Sequence, residues 1–429
     1  MSKNQVMKPS PYRWVILTVF MLITLVVSIQ WLTHAAVVRP AAIFYKGQFD
    51  PLSYFNIDFL ALSYMLVFLI MSFPASYIID TYGIKVGLNI GAVLVGIFSL
   101  TKAFFASSFT GVMISQIGLA VAQPFIINAV TAVSVRWFPF AERGLAAGFA
   151  VLAQYIGIII AMLVTPLLVG SNPELSDYGT GFEKMLWIYG IISVVCAVAL
   201  VVLIKESPEG NLHTADTNEA GFGKGMMKIL ANRDMQLTLV LFFIGLGIFN
   251  AISSMTDRIS ESAGVKDSDG LIGGLMLIGG IIGAIIIPIL SDKYQKRKLF
   301  LVVCVAGMLP GIAGIAFAGR LNLSHADTYN LLLLSSFVFG FFMMSAGPIA
   351  FQYAAEVTHP APESASQGIL LWIGQLSGMI FVAGMSIENN AYLAPFMTAF
   401  AILSFVAFLC VLFLKESPMM LSELKENQI

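Results

Sequence analysis

The tetrapeptide Lys-Glu-Ser-Pro occurs twice in this chain, within VVLIKESPEG at residues 201–210 and within VLFLKESPMM at residues 411–420. The two copies are 210 residues apart, which is about half of the 429-residue chain. Each copy follows an apolar run, and its proline ends a helix because proline has no backbone N–H to donate. The repetition predicts two similar halves, each of which finishes with an equivalent helix.

The composition is far more apolar than that of a soluble domain. Hydrophobic residues make up 58% of the chain and charged residues 11%, with a mean hydropathy of +0.87, whereas soluble domains contain about 25% charged residues. The apolar residues form blocks of the roughly 20 residues that a helix needs to cross a bilayer. The net charge of −1 gives no indication of a nucleic-acid partner. We therefore predict an all-α integral membrane protein.

Twelve apolar blocks are separated by charged or Pro- and Gly-rich breaks, with six blocks in each half. The spans are predicted at residues 14–38, 57–79, 84–106, 109–134, 145–169, 183–204, 235–257, 270–291, 299–318, 330–355, 366–386 and 392–414. The expected architecture is two pseudo-symmetric six-helix bundles, residues 1–204 and 235–429. A polar cytoplasmic linker, residues 205–234, would join them.

The distribution of positive charge orients the predicted spans. Sixteen of the 23 lysines and arginines fall on one side of the membrane and seven on the other. Lys and Arg concentrate in cytoplasmic loops, so both termini are expected in the cytoplasm. We expect a monomeric, multi-pass protein of a plasma membrane or a bacterial inner membrane, surrounded by lipid.

Two further pairs of motifs support a duplication. IIDTYGIK at residues 78–85 and LSDKYQKR at residues 290–297 share Asp-x-Tyr-x-x-(Lys/Arg), with an offset of 212 residues. Glu142 and Glu363 lie between the fourth and fifth helices of their respective halves, 221 residues apart. Parallel repeats of this kind occur in transporters whose two bundles rock about a central site.

These motifs resemble those of the major facilitator superfamily. The resemblance rests on twelve spans in two halves, on Asp-x-x-Gly-x-Lys at residues 80–85, and on Arg-Trp-Phe-Pro-x-x-Glu-Arg-Gly at residues 136–144. Within that superfamily, residues 12–31, 73–83 and 353–368 are similar to the feline leukaemia virus subgroup C receptor family. That resemblance implies the major facilitator fold and a solute such as choline, ethanolamine or haem.

The same resemblance implies particular site residues. Trp31 of the first helix matches the tryptophan of the family's choline-binding aromatic site, where a cation–π contact suits a quaternary ammonium. The position at which the family carries an aromatic residue on the seventh helix is Asn250 in this chain.

Polar side chains within the spans give a second, independent set of candidates, because hydrocarbon disfavours them unless they face the bundle interior or water. Asn250, Ser253, Ser254 and Asp257 follow helical spacing on one face of the seventh helix. The candidate solute-binding residues are Gln30, Trp31, His34, Gln123, Gln154, Tyr155, Asn250, Ser254, Trp372 and Gln375. The alternatives are that Trp31 is an interfacial anchor and that the polar groups only bond neighbouring helices.

Charged residues at the cytoplasmic ends of helices are candidates for gating. They are Asp80, Lys85, Arg136, Glu142, Arg143, Asp292, Arg297, Glu356 and Glu363. The resemblance implies that such charges keep the cytoplasmic side shut in the outward-open state. The alternative is a solvated surface charge that only sets the topology.

The expected function is facilitative or secondary-active transport of a small polar or cationic organic solute by alternating access. A proton-coupled carrier of an organic anion or amino acid is the first alternative, and His34 would be its titratable residue. A membrane receptor without transport is more distant. Motifs for an enzyme, such as His-Glu-x-x-His, are absent from the sequence, and neither a metal nor a cofactor is expected.

The charge bias makes a direct prediction about topology. Single cysteines introduced at Ser2 and Asn218 should react with a membrane-impermeant maleimide only after the cells are opened. The three native cysteines would first be replaced. Labelling of either position in intact cells would contradict the predicted orientation.

Overall fold

The computed structural model describes residues 10–49, 57–170, 176–207, 222–265, 271–361, 363–386 and 392–418. Throughout these ranges the regular secondary structure is helical. Residues 208–221 of the predicted linker lie outside the described residues.

Up to residue 207, the described structure contains eight α-helices. They are α1 (Tyr12–Leu32), α2 (Val38–Phe44), α3 (Ile57–Tyr82), α4 (Ile84–Phe104), α5 (Phe109–Ile127), α6 (Val130–Trp137), α7 (Arg143–Leu168) and α8 (Phe182–Leu203). The remaining described helices are α9 (Phe222–Ala231), α10 (Arg233–Ser254), α11 (Thr256–Ser262), α12 (Leu271–Tyr294), α13 (Arg297–Phe317), α14 (His325–Thr358), α15 (Glu363–Ser386) and α16 (Leu393–Leu412).

Twelve helical stretches in the described ranges are long and apolar enough to cross a membrane, which confirms the predicted number of spans. The fourth span consists of α5 and α6 together, Phe109–Trp137. Two helix ends were predicted too late. The first helix ends at Leu32 rather than at residue 38, because a short 3-10 turn precedes α2. The seventh ends at Ser254, and α11 follows it as a separate helix.

The chain divides into two compact units. The first unit comprises Met1–Pro139 and Leu152–Asp216, and the second comprises Phe140–Val151 and Thr217–Ile429. The division at residue 216 falls inside the predicted linker, which also contains α9. The first turns of α7 belong with the second unit. The domain boundaries given above remain a prediction.

In the first unit, the Glu206 carboxylate of the first KESP motif binds the N-terminus of α4. It accepts hydrogen bonds from the backbone N–H groups of Ile84, at 3.1 Å, and of Lys85, at 2.9 Å. These are two of the N–H groups that have no partner within the helix, and they carry the positive end of its dipole. Gly83 has a φ of 99°, and a Cβ there would lie 2.5 Å from Glu206 Oε2. Glycine therefore allows the carboxylate to approach.

In the second unit, the other KESP motif makes the corresponding contact. Glu416 accepts a hydrogen bond from the backbone N–H of Lys298, at 3.1 Å, at the start of α13. The backbones beside the two motifs are also held alike, because Tyr12 donates to the Leu203 carbonyl and Tyr353 to the Lys415 carbonyl, both at 2.8 Å. The repeated tetrapeptide thus places a carboxylate on the N-terminus of an earlier helix in each unit.

Replacing Glu206 with alanine should destabilise the protein by about 1 kcal/mol, because two helix N–H groups lose their acceptor. Lys85→Ala is a matched control, since Lys85 is exposed and contributes its backbone N–H to this contact. Thermal unfolding of the purified protein in detergent would measure both. Equal melting temperatures for Glu206→Ala and the control would show that the contact does not stabilise the fold.

Candidate functional site

A group of buried polar side chains surrounds the end of α1 in the first unit. Gln30 is only 1% exposed. Its amide nitrogen donates to Ser193 Oγ of α8, at 3.1 Å, and its amide oxygen accepts from Lys102 Nζ of α4, at 3.1 Å. Gln30 therefore connects three helices through a side chain that the sequence identified as a site candidate.

Gln116 of α5 binds the last carbonyl groups of α1. Its Nε2 lies 3.2 Å from the Gln30 carbonyl, 3.3 Å from the Trp31 carbonyl and 3.1 Å from the Leu60 carbonyl. The last carbonyls of a helix have no partner within it, so an amide from a neighbouring helix supplies one here. The amide oxygen of Gln116 has no hydrogen-bond partner. Gln116 was not among the candidates that we selected from the sequence.

Trp31 presents an aromatic face whose polar atom is already engaged. Its indole N–H donates to the Ala61 carbonyl of α3, at 3.1 Å. Its ring stacks on that of Tyr64, with centroids 6.4 Å apart and planes 27° apart. Tyr64 is buried, whereas Trp31 is partly exposed. The ring of Trp31 is therefore fixed in orientation without being covered.

His34 lies just after the end of α1 and is 1% exposed. Its ring is near those of Phe182 and Tyr45, at centroid distances of 6.3 and 6.4 Å. Neither ring nitrogen has a hydrogen-bond partner among the described residues. Burial lowers the pKa of His34, and a proton on Lys102 would lower it further, so the imidazole is neutral at neutral pH.

Lys102 is the principal residue that sequence reasoning missed. It was counted as one of the charges on the outer side, but it lies in the last turn of α4 and is 1% exposed. Its Nζ donates to the side-chain and backbone oxygens of Gln30, at 3.1 and 3.3 Å. The signal available in the sequence was a lysine preceded by an uninterrupted apolar span.

In the second unit, Asn250 of α10 and Gln375 of α15 lie on helices in close contact. A Cβ on Gly378 of α15 would lie 2.8 Å from both Asn250 Cβ and Nδ2. This glycine therefore provides the space for Asn250, and Gln375 lies one turn earlier on the same helix. Asn250 Nδ2 and Gln375 Oε1 are both buried, and neither has a hydrogen-bond partner in the described part of the chain. One is a donor and the other an acceptor.

For the remaining solute-binding candidates, the structure gives a degree of burial that does not indicate a role. Ser254 is exposed at the last residue of α10, Gln123 is buried on α5, and Gln154, Tyr155 and Trp372 are partly buried. The side chain of Asp257 is outside the described residues. Within the first unit the structure brings together Gln30, Trp31 and His34, and within the second it brings together Asn250 and Gln375.

The predicted gating charges of the second unit form a buried ion cluster. Arg297 is fully buried and pairs with Asp292 and with Glu356, whose Oε1 is 3.2 Å from Nη2. Asp292 also accepts the backbone N–H of Leu145, at 2.8 Å, in the first turn of α7. A buried carboxylate thus bonds at once to a guanidinium and to the positive end of a helix.

The gating candidates of the first unit are arranged differently. Arg136 pairs with Glu206, the carboxylate on the N-terminus of α4, and the side chain of Glu206 is 43% exposed. Asp80 is buried at the end of α3. The Lys85 side chain is exposed, and only its backbone takes part in the contact with Glu206. The remaining gating candidates belong to the second unit: Glu142 and Arg143 are partly buried at the start of α7, and Glu363 is partly buried at the start of α15.

A family model described as the Major Facilitator Superfamily matches residues 15–383 and 237–427 of the chain. The chain belongs to the Major Facilitator Superfamily. The rat choline/ethanolamine transporter FLVCR2 (Rattus norvegicus) is 25% identical over 414 residues, covering 92% of this chain and 74% of the relative. The human choline/ethanolamine transporter FLVCR2 (Homo sapiens) is 27% identical, covering 93% and 78%. Solute carrier family 49 member A3 of Danio rerio is 28% identical, covering 86% and 77%.

Solved structures agree with this assignment of the fold. The proton:xylose symporter XylE superposes with a TM-score of 0.74 at 17% identity, covering 94% of this chain and 96% of that one. FucP in the outward conformation gives a TM-score of 0.70 at 15% identity, covering 93% and 99%. The predicted major facilitator fold and its twelve helices are confirmed, and the protein is a multi-pass membrane transporter of a solute.

The ion cluster of the second unit leads to a stability prediction. Asp292→Asn should destabilise the protein by about 3 kcal/mol, because it removes one carboxylate from the buried Arg297. Lys293→Gln, at the adjacent exposed position, should leave the melting temperature unchanged. If both variants melt with the wild type, Asp292 acts only as a topological charge.

Proposed function

We propose that this chain moves a small amino alcohol or quaternary ammonium solute, of the choline and ethanolamine type, by alternating access. Two relatives, of which the match covers 74% and 78%, are choline/ethanolamine transporters. The observation that carries the proposal is Trp31, whose partly exposed ring is held by Tyr64 and by the Ala61 carbonyl. An indole that has already donated its N–H offers a solute its π face, which attracts cations.

The electrostatics at the end of α1 also favour a cation. The C-terminus of a helix carries a partial negative charge, and Trp31 is the last residue but one of α1. A quaternary ammonium donates no hydrogen bonds, so it needs an aromatic face and a favourable potential rather than acceptors. The first unit supplies both at one residue.

The second unit, considered by itself, contains two buried polar atoms that need a partner. Asn250 Nδ2 is a donor and Gln375 Oε1 an acceptor, and neither has a hydrogen-bond partner among the described residues. Buried polar atoms are normally satisfied, which supports a ligand or water as the missing partner.

We propose further that both termini lie in the cytoplasm and that the protein functions as a monomer. The charges at the starts of α4, α7 and α13 would gate its cytoplasmic side. The supporting observation is that carboxylates bond to the N-terminus of each of these three helices. Each contact joins one carboxylate to one helix N-terminus, so it can break and re-form during a conformational change.

Uptake into proteoliposomes tests the proposed function. Radiolabelled choline and ethanolamine should enter vesicles that contain the protein, and an organic anion or a neutral amino acid should not. Trp31→Ala should weaken choline binding at least tenfold, because the cation loses its aromatic face. Trp31→Phe should retain part of the affinity, since it keeps a ring and loses only the indole.

The melting temperature serves as the control for this experiment. Trp31→Ala should melt close to Trp31→Phe, since both variants lose the bond to Ala61. Normal choline binding by Trp31→Ala together with a large loss of stability would assign Trp31 to helix packing. Uptake of the anion alone would exclude the proposed solute class.

A further inference from the structure

Lys102 is a basic side chain enclosed within a membrane-spanning segment, Ile84–Phe104. It is 1% exposed, and its Nζ has two acceptors, both oxygens of Gln30. An ammonium ion taken out of water needs an anionic partner or must lose its proton. Within membrane spans, ionisable residues are rare and usually have a functional role.

Lys102 has no such anionic partner in the described part of the chain. The ion pairs described there join Arg136 to Glu206 and Arg297 to Asp292 and Glu356. The two oxygens of Gln30 are neutral acceptors. They satisfy the hydrogen-bond donors of an amine without compensating a full charge.

The repeat shows that the fold does not require this lysine. The offset of 212 residues that relates Asp80 to Asp292 places Gly314 at the equivalent position in α13. After its first turn, α13 contains no acidic or basic side chain. The second unit therefore builds the corresponding helix without a buried amine. A structural cap for α1 would not need one either, because Gln116 already binds the Gln30 carbonyl, the only backbone carbonyl that Lys102 contacts among the described hydrogen bonds.

The groups around Lys102 have hydrogen-bonding capacity to spare. His34 has an unused donor and an unused acceptor, and Gln116 has an unused acceptor. The other titratable groups in this part of the unit are Tyr45, which bonds to the Ala106 carbonyl, Tyr64 of α3, Tyr189 of α8, which bonds to Thr165, and Glu183, whose charge acts on Tyr45. Burial, and then Glu183, raise the pKa of Tyr45, so its hydroxyl keeps its proton.

We propose that Lys102 is a proton-binding site of this transporter. In the structure described here it is a neutral amine, held by Gln30 and neighboured by His34. When the site opens to water, the amine takes a proton from the solvent and becomes an ammonium ion. On enclosure, the ammonium returns that proton to water, so the cycle needs no other reactant.

A proton at Lys102 and a cation at Trp31 exclude one another. Lys102 bonds to the backbone oxygen of Gln30, the residue before Trp31, so an ammonium at Lys102 would repel a cationic solute at the adjacent ring. Solute binding then releases a proton, and the two move in opposite directions. This coupling rests on the proposed function, whereas the proton site itself does not.

The proton site is tested without any solute, from the pH dependence of thermal stability. Between pH 6 and 9 an unfolded lysine is charged, and a native neutral amine binds one proton fewer, so stability rises with pH. The melting temperature of the wild type relative to Lys102→Met should therefore increase steadily with pH. The unfolding equilibrium constants should diverge by up to tenfold per pH unit.

Two control variants make this result specific. Lys184→Met, at an exposed position of α8, should follow the wild type at every pH. Lys102→Arg, which stays charged, should show a constant difference from Lys102→Met. If the difference in melting temperature between the wild type and Lys102→Met is also constant from pH 6 to 9, Lys102 stays charged. That result would overturn the proposal.

Choline binding tests the coupling. Wild-type affinity should rise with pH, by up to tenfold per unit, only over the pH range in which the empty protein still holds the proton at Lys102, which lies below the range in which its stability relative to Lys102→Met increases. Lys102→Met should bind choline equally at all pH values. A pH-independent wild type would overturn the coupling. If neither choline nor ethanolamine binds at any pH, the proposed function fails, and the stability measurement still decides the proton site.

Discussion

The ends of helices impose the constraint on which the rest of this structure depends. Each end leaves backbone N–H or carbonyl groups without a partner in its own helix, and these groups need another partner wherever the end is buried. The chain meets this requirement with side chains from other helices. Glu206, Glu416 and Asp292 accept the N–H groups at three helix starts, and Gln116 donates to the carbonyls at the end of α1.

This requirement explains which features could be predicted from the sequence. Apolar blocks and the positions of lysine and arginine were sufficient for the number of spans, because both depend on local composition. The repeated KESP motif follows the last helix of each half as predicted, but its proline does not end that helix, because α8 and α16 already end at Leu203 and Leu412. The glutamate of each copy, however, binds the N-terminus of a helix that begins 118 to 122 residues earlier in the chain. No local sequence pattern reveals that partner. The role of Lys85 was therefore assigned to its charge, when its backbone makes the contact.

The solute candidates were predictable in the same limited way. Helical spacing identified Asn250 and Gln375 as polar residues within apolar spans, and both have an unpaired buried atom. Lys102 and Gln116 were harder to interpret, since their partners are the backbone and side chain of α1. The end of α1 was also misplaced by six residues, because the apolar run continues through the 3-10 turn after Leu32. The composition of a segment predicts how hydrophobic it is, but it does not predict the residue at which a helix ends.

The two halves have diverged in their electrostatics while keeping the same helix order. The ion pair of the first unit includes a carboxylate that is 43% exposed, whereas Arg297 and its two partners are buried. Salt screens exposed charges far more than buried ones. Ionic strength should therefore act mainly on the first unit, and a duplication that began with equivalent ends now responds unequally to its surroundings.

The single amide of Gln116 also has a mechanical consequence. It holds carbonyls of α1 and α3 together, 3.1 to 3.3 Å from one nitrogen atom. Sliding of α1 against α3 at this level would break the contacts of this amide, although the Gln30 and Leu60 carbonyls also accept from Lys102 Nζ and Ser63 Oγ. The amide of Gln116 therefore resists movement of α1 against α3. The bending that a transport cycle requires would then occur in segments that have no comparable hydrogen bonding between helices.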